Sequence, residues 1–232
     1  MNKVALFGDS ITNGRIGISY TQFLSFDYKS YAKDGLTINS IFKEIEKVVV
    51  DESQIILIQG GGNDLLIPHM AQISSDWAKG AKYMLQGDNY PLVDENQFLD
   101  FVEQSLSKIK NKILFCSLPL LGEDINSLLN QKRKSRNDNL KALVKSFKNI
   151  LWCDITSDLE KISSKSNYLL ETPAQMAQDA LKADHTKDAL SSKRELKVTI
   201  DGVHLNSVGA KSVANVINRA FSQLSLHERA IF

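Results

Sequence analysis

Residues 54–59 read Gln-Ile-Ile-Leu-Ile-Gln, and this run constrains the fold more than any other stretch. Four consecutive apolar residues leave neither face of an extended strand for water, which predicts a central strand of a parallel sheet covered on both sides. Three further apolar runs, at residues 4–8, 112–117 and 149–153, also predict strands, and residues 28–33 alternate weakly enough to suggest a short one. Between them the apolar residues recur at three- and four-residue spacing, as in Ile38, Ile41, Phe42, Ile45, Val48 and Val49. The same spacing runs through Phe98, Phe101, Val102 and Ile109, through Leu140, Leu143, Val144 and Phe147, and through Val213, Val216, Ile217, Ala220, Phe221 and Leu224. Each of these sets predicts a helix with one apolar face. Thr37 or Asn39, Asp94 with Gln97, and Asn206 stand where helix N-caps belong. Trp77, Ala81, Tyr83 and Met84 suggest another helix, residues 20–26 one or two helical turns, and Gly87-Asp88-Asn89 a turn. Strands alternating with helices imply βαβ crossovers, hence an α/β fold on a parallel sheet.

The chain has 232 residues, 43% of them hydrophobic, and no Pro, Gly or Ser-rich linker divides it. We expect one domain over residues 1–232, with the polar stretch 155–198 as an insertion or lid. The 28 Lys and Arg against 27 Asp and Glu leave +1, so no general field attracts nucleic acid or a membrane surface. The one dense basic run, Lys132-Arg133-Lys134-Ser135-Arg136, has no interleaved aromatics and reads as a solvated helix face or loop. Cys116 and Cys153 lie inside apolar runs and read as buried free thiols. The first strand follows Met1 with no room for a signal peptide, and no apolar run approaches the ~20 residues that span a bilayer. The expectation is therefore a cytoplasmic protein without stable membrane insertion. His69, His185 and His227 have no second ligand at metal spacing, so neither a metal nor another cofactor is expected. The glycines at 60–62 are not followed by Lys-Ser or Lys-Thr, which argues against a phosphate loop.

Chemistry concentrates in four loops. Ser10 follows the first strand at the edge where open α/β sheets bind ligands, and it serves equally as a nucleophile or a helix N-cap. Neighbouring Asp9 suits a structural hydrogen-bonding role. Near the C-terminus stands Asp201-Gly202-Val203-His204-Leu205-Asn206. A neutral histidine can take a serine's proton, and an aspartate on its other ring nitrogen fixes the tautomer. The backbone N–H groups of Ser10 and Gly35 and the side-chain amide of Asn63 are candidate donors to an oxyanion. A helix cap, a turn glycine and a turn asparagine are the ordinary readings of the same three residues.

Taken together, the loops resemble the four blocks of the SGNH, or GDSL, hydrolases. Gly8-Asp9-Ser10-Ile11-Thr12 matches the first block, Gly35-Leu36-Thr37 the second, Gly61-Gly62-Asn63-Asp64 the third, and 201–206 the last. Lys33 and Asp34 depart from the small or amide residues that more often precede the second block. The resemblance implies a flavodoxin-like three-layer α/β/α sandwich on a five-stranded parallel sheet of order 2-1-3-4-5. It also implies ester hydrolysis through an acyl-serine, with Ser10 as nucleophile, His204 as general base and Asp201 as its orienting partner. Ser10, Gly35 and Asn63 would form the oxyanion hole. The expected partner is a small-molecule ester, with a short acyl or acetyl group favoured. A lysophospholipase, a thioesterase or an acyltransferase would use the same fold, and outside catalysis so would a ligand-binding module.

Overall fold

In the computed structural model, which describes residues 4–48, 50–52 and 54–229, five strands lie parallel in one sheet. They are β1 (Val4–Gly8), β2 (Tyr28–Ser30), β3 (Ile55–Gln59), β4 (Ile113–Cys116) and β5 (Ile150–Cys153), in the order β2-β1-β3-β4-β5. Every residue of β1 and β3 is buried, as expected of central strands, whereas β2 is exposed along one edge. Val4 pairs with Ile55 and Gly8 with Gln59, so both central strands end level and their following loops leave from the same edge. The shift from β1 to β2 and back across to β3 is the switch that opens a crevice at that edge.

The helices are α1 (Ser10–Asn13), α2 (Ile38–Lys47), α3 (Asn63–Ile73), α4 (Ser75–Met84), α5 (Glu95–Leu106), α6 (Leu128–Val144), α7 (Ser157–Ile162), α8 (Pro173–Ala180), α9 (Asp184–Lys193) and α10 (Ser207–Arg229). A 3-10 turn covers Tyr20–Phe23. Helix α5 packs on α2 and α6, while α10 packs on the 3-10 turn, α7 and β5, so helices cover the sheet as parallel βαβ connections require. The Asp94 side chain accepts from the Gln97 N–H at the start of α5, and that of Asn206 accepts from the Gly209 N–H at the start of α10. Thr37 precedes α2 but makes no side-chain cap. The Asp64 carboxylate accepts from the Ile38 N–H instead, across 26 residues of sequence. Cys116 and Cys153 are buried free thiols in register on β4 and β5.

Two expectations need correcting. Asn63, whose ordinary reading is a turn asparagine, is instead the first residue of α3, in which Leu65, Leu66, Ile67 and Met70 are all buried. A helix buried around most of its girth has no apolar stripe to detect, and Pro68 inside it argues further against a helix. The basic run is not a solvated face throughout. Lys132 and Lys134 are exposed, but Arg133 and Arg136, one turn apart on α6, are 2% and 1% exposed. Arg133 pairs with Glu160, and Arg136 pairs with Glu95 while lying 4.1 Å over the Phe98 ring. Planar guanidinium groups with a carboxylate partner tolerate burial that lysine resists. The expectations for Lys3, Val49 and the side chain of His227 fall outside the described residues.

Candidate active site

The first site loop begins where β1 ends. Buried Asp9 turns its carboxylate onto the Ile11 N–H at 3.0 Å, which starts α1 and makes Ser10 its first residue. Burial pushes the Asp9 carboxyl up to about 6, although the Ile11 amide and nearby His204 act the other way. Asp9 therefore has the structural role expected of it, and its side chain is occupied by the cap.

The last loop folds around its own aspartate. One oxygen of Asp201 accepts from the backbone N–H groups of Val203 (3.0 Å) and His204 (2.8 Å), curling the chain back on itself. The other oxygen lies 2.7 Å from His204 Nδ1, and His204 Nε2 lies 3.0 Å from Ser10 Oγ. Gly202 makes the curl possible, with φ at +90° and only 2.6 Å between a built Cβ and the Tyr168 carbonyl oxygen. All three side chains are buried. Burial opposes a charge on His204, but the Asp201 carboxylate, with Asp9 and Asp34 farther off, outweighs it and holds the imidazole above its ordinary value.

A residue the sequence did not announce holds this loop in place. Glu123, fully buried, accepts from the N–H groups of Ser164, Lys197, Val198 and Thr199 and from the Thr199 hydroxyl. Burial would raise its pKa, yet these five donors keep the carboxyl below its ordinary value and so ionised. Thr199 Oγ1 in turn accepts from the Gly202 N–H, and the Gly202 carbonyl accepts from Gly122, next to Glu123. Behind α1, the buried Lys187 ammonium donates to the Gly17 carbonyl, and Ile18 N–H donates to Leu205, tying the first loop to the last.

The second and third loops meet these from the side. Asn63 opens α3, and its amide donates to the Leu36 carbonyl at 2.9 Å, leaving a second N–H on the same nitrogen. Gly35 sits at φ +74°, which glycine accepts freely. Asn89, read from sequence only as part of a turn, clamps this segment: its amide donates to Gly35 and Met84, and its oxygen accepts from Thr37. Among the described residues, no internal acceptor takes the backbone N–H of Ser10 or of Gly35. Ser10, Gly35, Asn63 and His204 all border one pocket of about 130 Å³, whose remaining wall is almost entirely apolar. A larger cleft of about 340 Å³, lined by Phe42, Ile45, Lys108 and Asn111 among others, lies where β3 and β4 begin and brings no histidine beside a serine.

Such a constellation suits acyl transfer: a hydroxyl against an imidazole, a carboxylate behind it, and donors converging near the hydroxyl. Among the described residues no group of three or more His, Cys, Asp and Glu side chains gathers as a metal site, and exposed His185 lies far along the chain on α9. Nor is any described helix long and apolar enough to cross a membrane.

No curated protein matches the sequence. Among solved structures, a GDSL-like lipase from Bacteroides thetaiotaomicron superposes with a TM-score of 0.61 at 17% identity, covering 96% of this chain and 89% of that one. An acetylxylan esterase from Geobacillus stearothermophilus gives 0.60 at 14% identity, over 94% and 93%. A lipase/acylhydrolase from Enterococcus faecalis gives 0.59 at 15%, over 94% of each chain. At these identities the likeness is one of fold. The sequence itself matches the family model of the GDSL-like lipases and acylhydrolases over residues 4–217, nearly its whole length, and the chain belongs to that family.

Proposed function

We propose that this acylhydrolase cleaves a carboxylic ester of a small molecule in two steps through an acyl-Ser10 intermediate. The observation that carries the reading is the unbroken hydrogen-bonded chain from Ser10 Oγ through His204 to Asp201. In the first step Ser10 Oγ attacks the ester carbonyl carbon while its proton passes to His204 Nε2. The imidazolium is stabilised by the Asp201 carboxylate at Nδ1. The carbonyl oxygen takes the negative charge within reach of the Ser10 and Gly35 backbone N–H groups and the free amide N–H of Asn63. Collapse expels the alcohol, which leaves with the proton from His204. A water then gives its proton to His204 and attacks the acyl carbon, and the acid departs as Ser10 recovers its hydrogen.

The test is Ser10→Ala assayed on p-nitrophenyl butyrate, with a fluorophosphonate probe applied to the wild type. We expect kcat/KM to fall by at least about 10⁴-fold in the variant, as when a triad member is removed. The wild type should carry the probe on Ser10. A variant with near-native turnover, or a wild type that neither reacts with the probe nor hydrolyses the ester, would refute the reading and favour a protein that only binds.

A further inference from the structure

The pocket beside Ser10 has an uneven composition. Its polar groups, among them Ser10, Asp34, Asn63 and His204, contrast with walls formed by Met70, Trp77, Met84, Leu170, Met176 and Val203. The chain has only four methionines, and the three that follow Met1 all line this one cavity. They reach it from three different helices, α3, α4 and α8. Trp77 turns its indole N–H away to the Glu171 carbonyl at 3.3 Å, which leaves the rest of the ring as a carbon surface. The cavity thus has one end suited to a reacting carbonyl and a body with nothing to offer a sugar or a charged group.

Leu170 adds a second, independent observation. Its backbone lies at φ +32°, in the left-handed region that leucine rarely adopts, while its side chain is buried against the pocket. The conformation is held by its own N–H, which donates to the Asp201 carbonyl at 2.9 Å, and strained residues of this kind persist where the surroundings over-determine them. Leu170 is therefore aimed into the cavity by the same loop that carries Asp201 and His204. The apolar wall and the reacting end are built as one unit.

We propose that this cavity receives the acyl chain of the substrate as an unbranched hydrocarbon, and that the preferred acyl group has about six carbons, not two. The proposal rests on the acyl-Ser10 reading above. Its size follows from the volume: about 130 Å³ is comparable with the ~150 Å³ apolar cavity that accepts a six-carbon benzene ring. An acetyl group would leave most of that wall untouched, and a chain much longer than six carbons would have to emerge past Met84 and Met176, which are only half-buried. Thioether side chains are unbranched and adaptable, so they close on a flexible chain without demanding one shape.

The expected result is a slope. Each methylene buried between acetate and hexanoate should raise kcat/KM about fourfold with the p-nitrophenyl leaving group held constant, or roughly 200-fold across the four added carbons. Beyond hexanoate the rise should stop. Replacing Met176 by Trp should fill the body of the pocket and cut the hexanoate-to-acetate ratio at least tenfold. Met84→Ala, made on the opposite helix, should move the optimum to longer chains, and either variant serves if the other fails to fold. Thermal melts establish which variants are folded. An optimum at acetate in a wild type whose Ser10 is labelled by a fluorophosphonate would overturn the chain-length proposal and leave the esterase reading intact. A ratio that neither folded variant changes would do the same. A wild type with no labelled serine and no hydrolysis of any ester in the series would overturn both.

Discussion

The two halves of the candidate site are built on opposite principles. On one side, residues 197–206 are held by donors and acceptors that are individually matched: Glu123 accepts from five donors, Asp201 takes three hydrogen bonds, and the Asn206 amide bridges Ser191 and the Lys197 carbonyl. On the other, α3, α4 and α8 present three methionines and a tryptophan that touch the pocket through carbon and sulfur. Polar networks in a low-dielectric interior fix geometry because any unmatched group is costly, whereas a soft apolar wall can rearrange with little loss. The proposed chemistry needs atoms held within a fraction of an ångström, and the proposed acyl chain does not. The contrast teaches that substitutions of similar size should be felt very differently across a pocket only about 130 Å³ in volume.

Between these two halves the largest effect is expected at Asp201. Asp201→Asn preserves shape but removes the charge that holds His204 above its ordinary pKa, and it lets the imidazole adopt the wrong tautomer. Turnover should fall by about 10⁴-fold. The proposed base acts only when neutral, so wild-type kcat/KM should rise with pH through a limb lying above the ordinary histidine value, about 6.5. Without Asp201 that limb should move to lower pH in the residual activity. A limb that stays in place would mean that the charge acting on His204 comes from elsewhere.

Next comes Glu123, which touches no proposed reacting atom and acts through the loop it holds. Glu123→Gln puts an amide nitrogen where a carboxylate oxygen accepts, so it sets donor against donor at Ser164 or at Thr199. Breaking such a buried charged network should cost about 3 kcal/mol, or roughly 6–12 °C in Tm for a chain of this size. The pH dependence has a definite sign. The folded-state pKa is lowered, so the stabilisation is present above the unfolded carboxyl's value, about 4.3, and is lost as pH falls through the folded value. Chemical denaturation of the two proteins should therefore differ most near neutral pH and converge in acid. A difference that persists undiminished below pH 4 would show that packing, and not the charge, is what Glu123 contributes.

The same contrast explains what could be read from the amino acids. Ile55–Ile58 announced a central strand because burial on both faces leaves its mark on composition, and Ser10, Asp201 and His204 stood out because short motifs surround each one. Their neighbours left no such trace. The donors to Glu123 lie 41 and 74–76 residues away, so no local spacing marks it. Asn89 was legible as a turn residue but not as the clamp on Gly35 and Thr37, which lie more than 50 residues upstream. Helix α3 was lost for the opposite reason, since most of its first two turns are buried and no stripe survives. Arg133 and Arg136 have the charge pattern of a surface, and only the tertiary positions of Glu160 and Glu95 bring them inside.

The smallest effect expected is also the sharpest test of the apolar half. Met70 is 2% exposed at the floor of the pocket, as deeply buried as Asp201 on the other side. Burial alone would predict equal sensitivity at the two positions. If the methionine wall is adaptable, Met70→Leu exchanges one side chain for another of nearly equal volume, and neighbouring Met84 and Met176 take up the change in shape. Unfolding in urea should then reveal a loss below about 1.5 kcal/mol with an unchanged m-value. Hexanoate turnover should stay within about threefold, because the contact area offered to the chain is nearly conserved. A loss of 3 kcal/mol or more would place this wall with the tightly matched interior of the Glu123 network, and chain-length preference would then have to arise from a rigid mould instead of a yielding one.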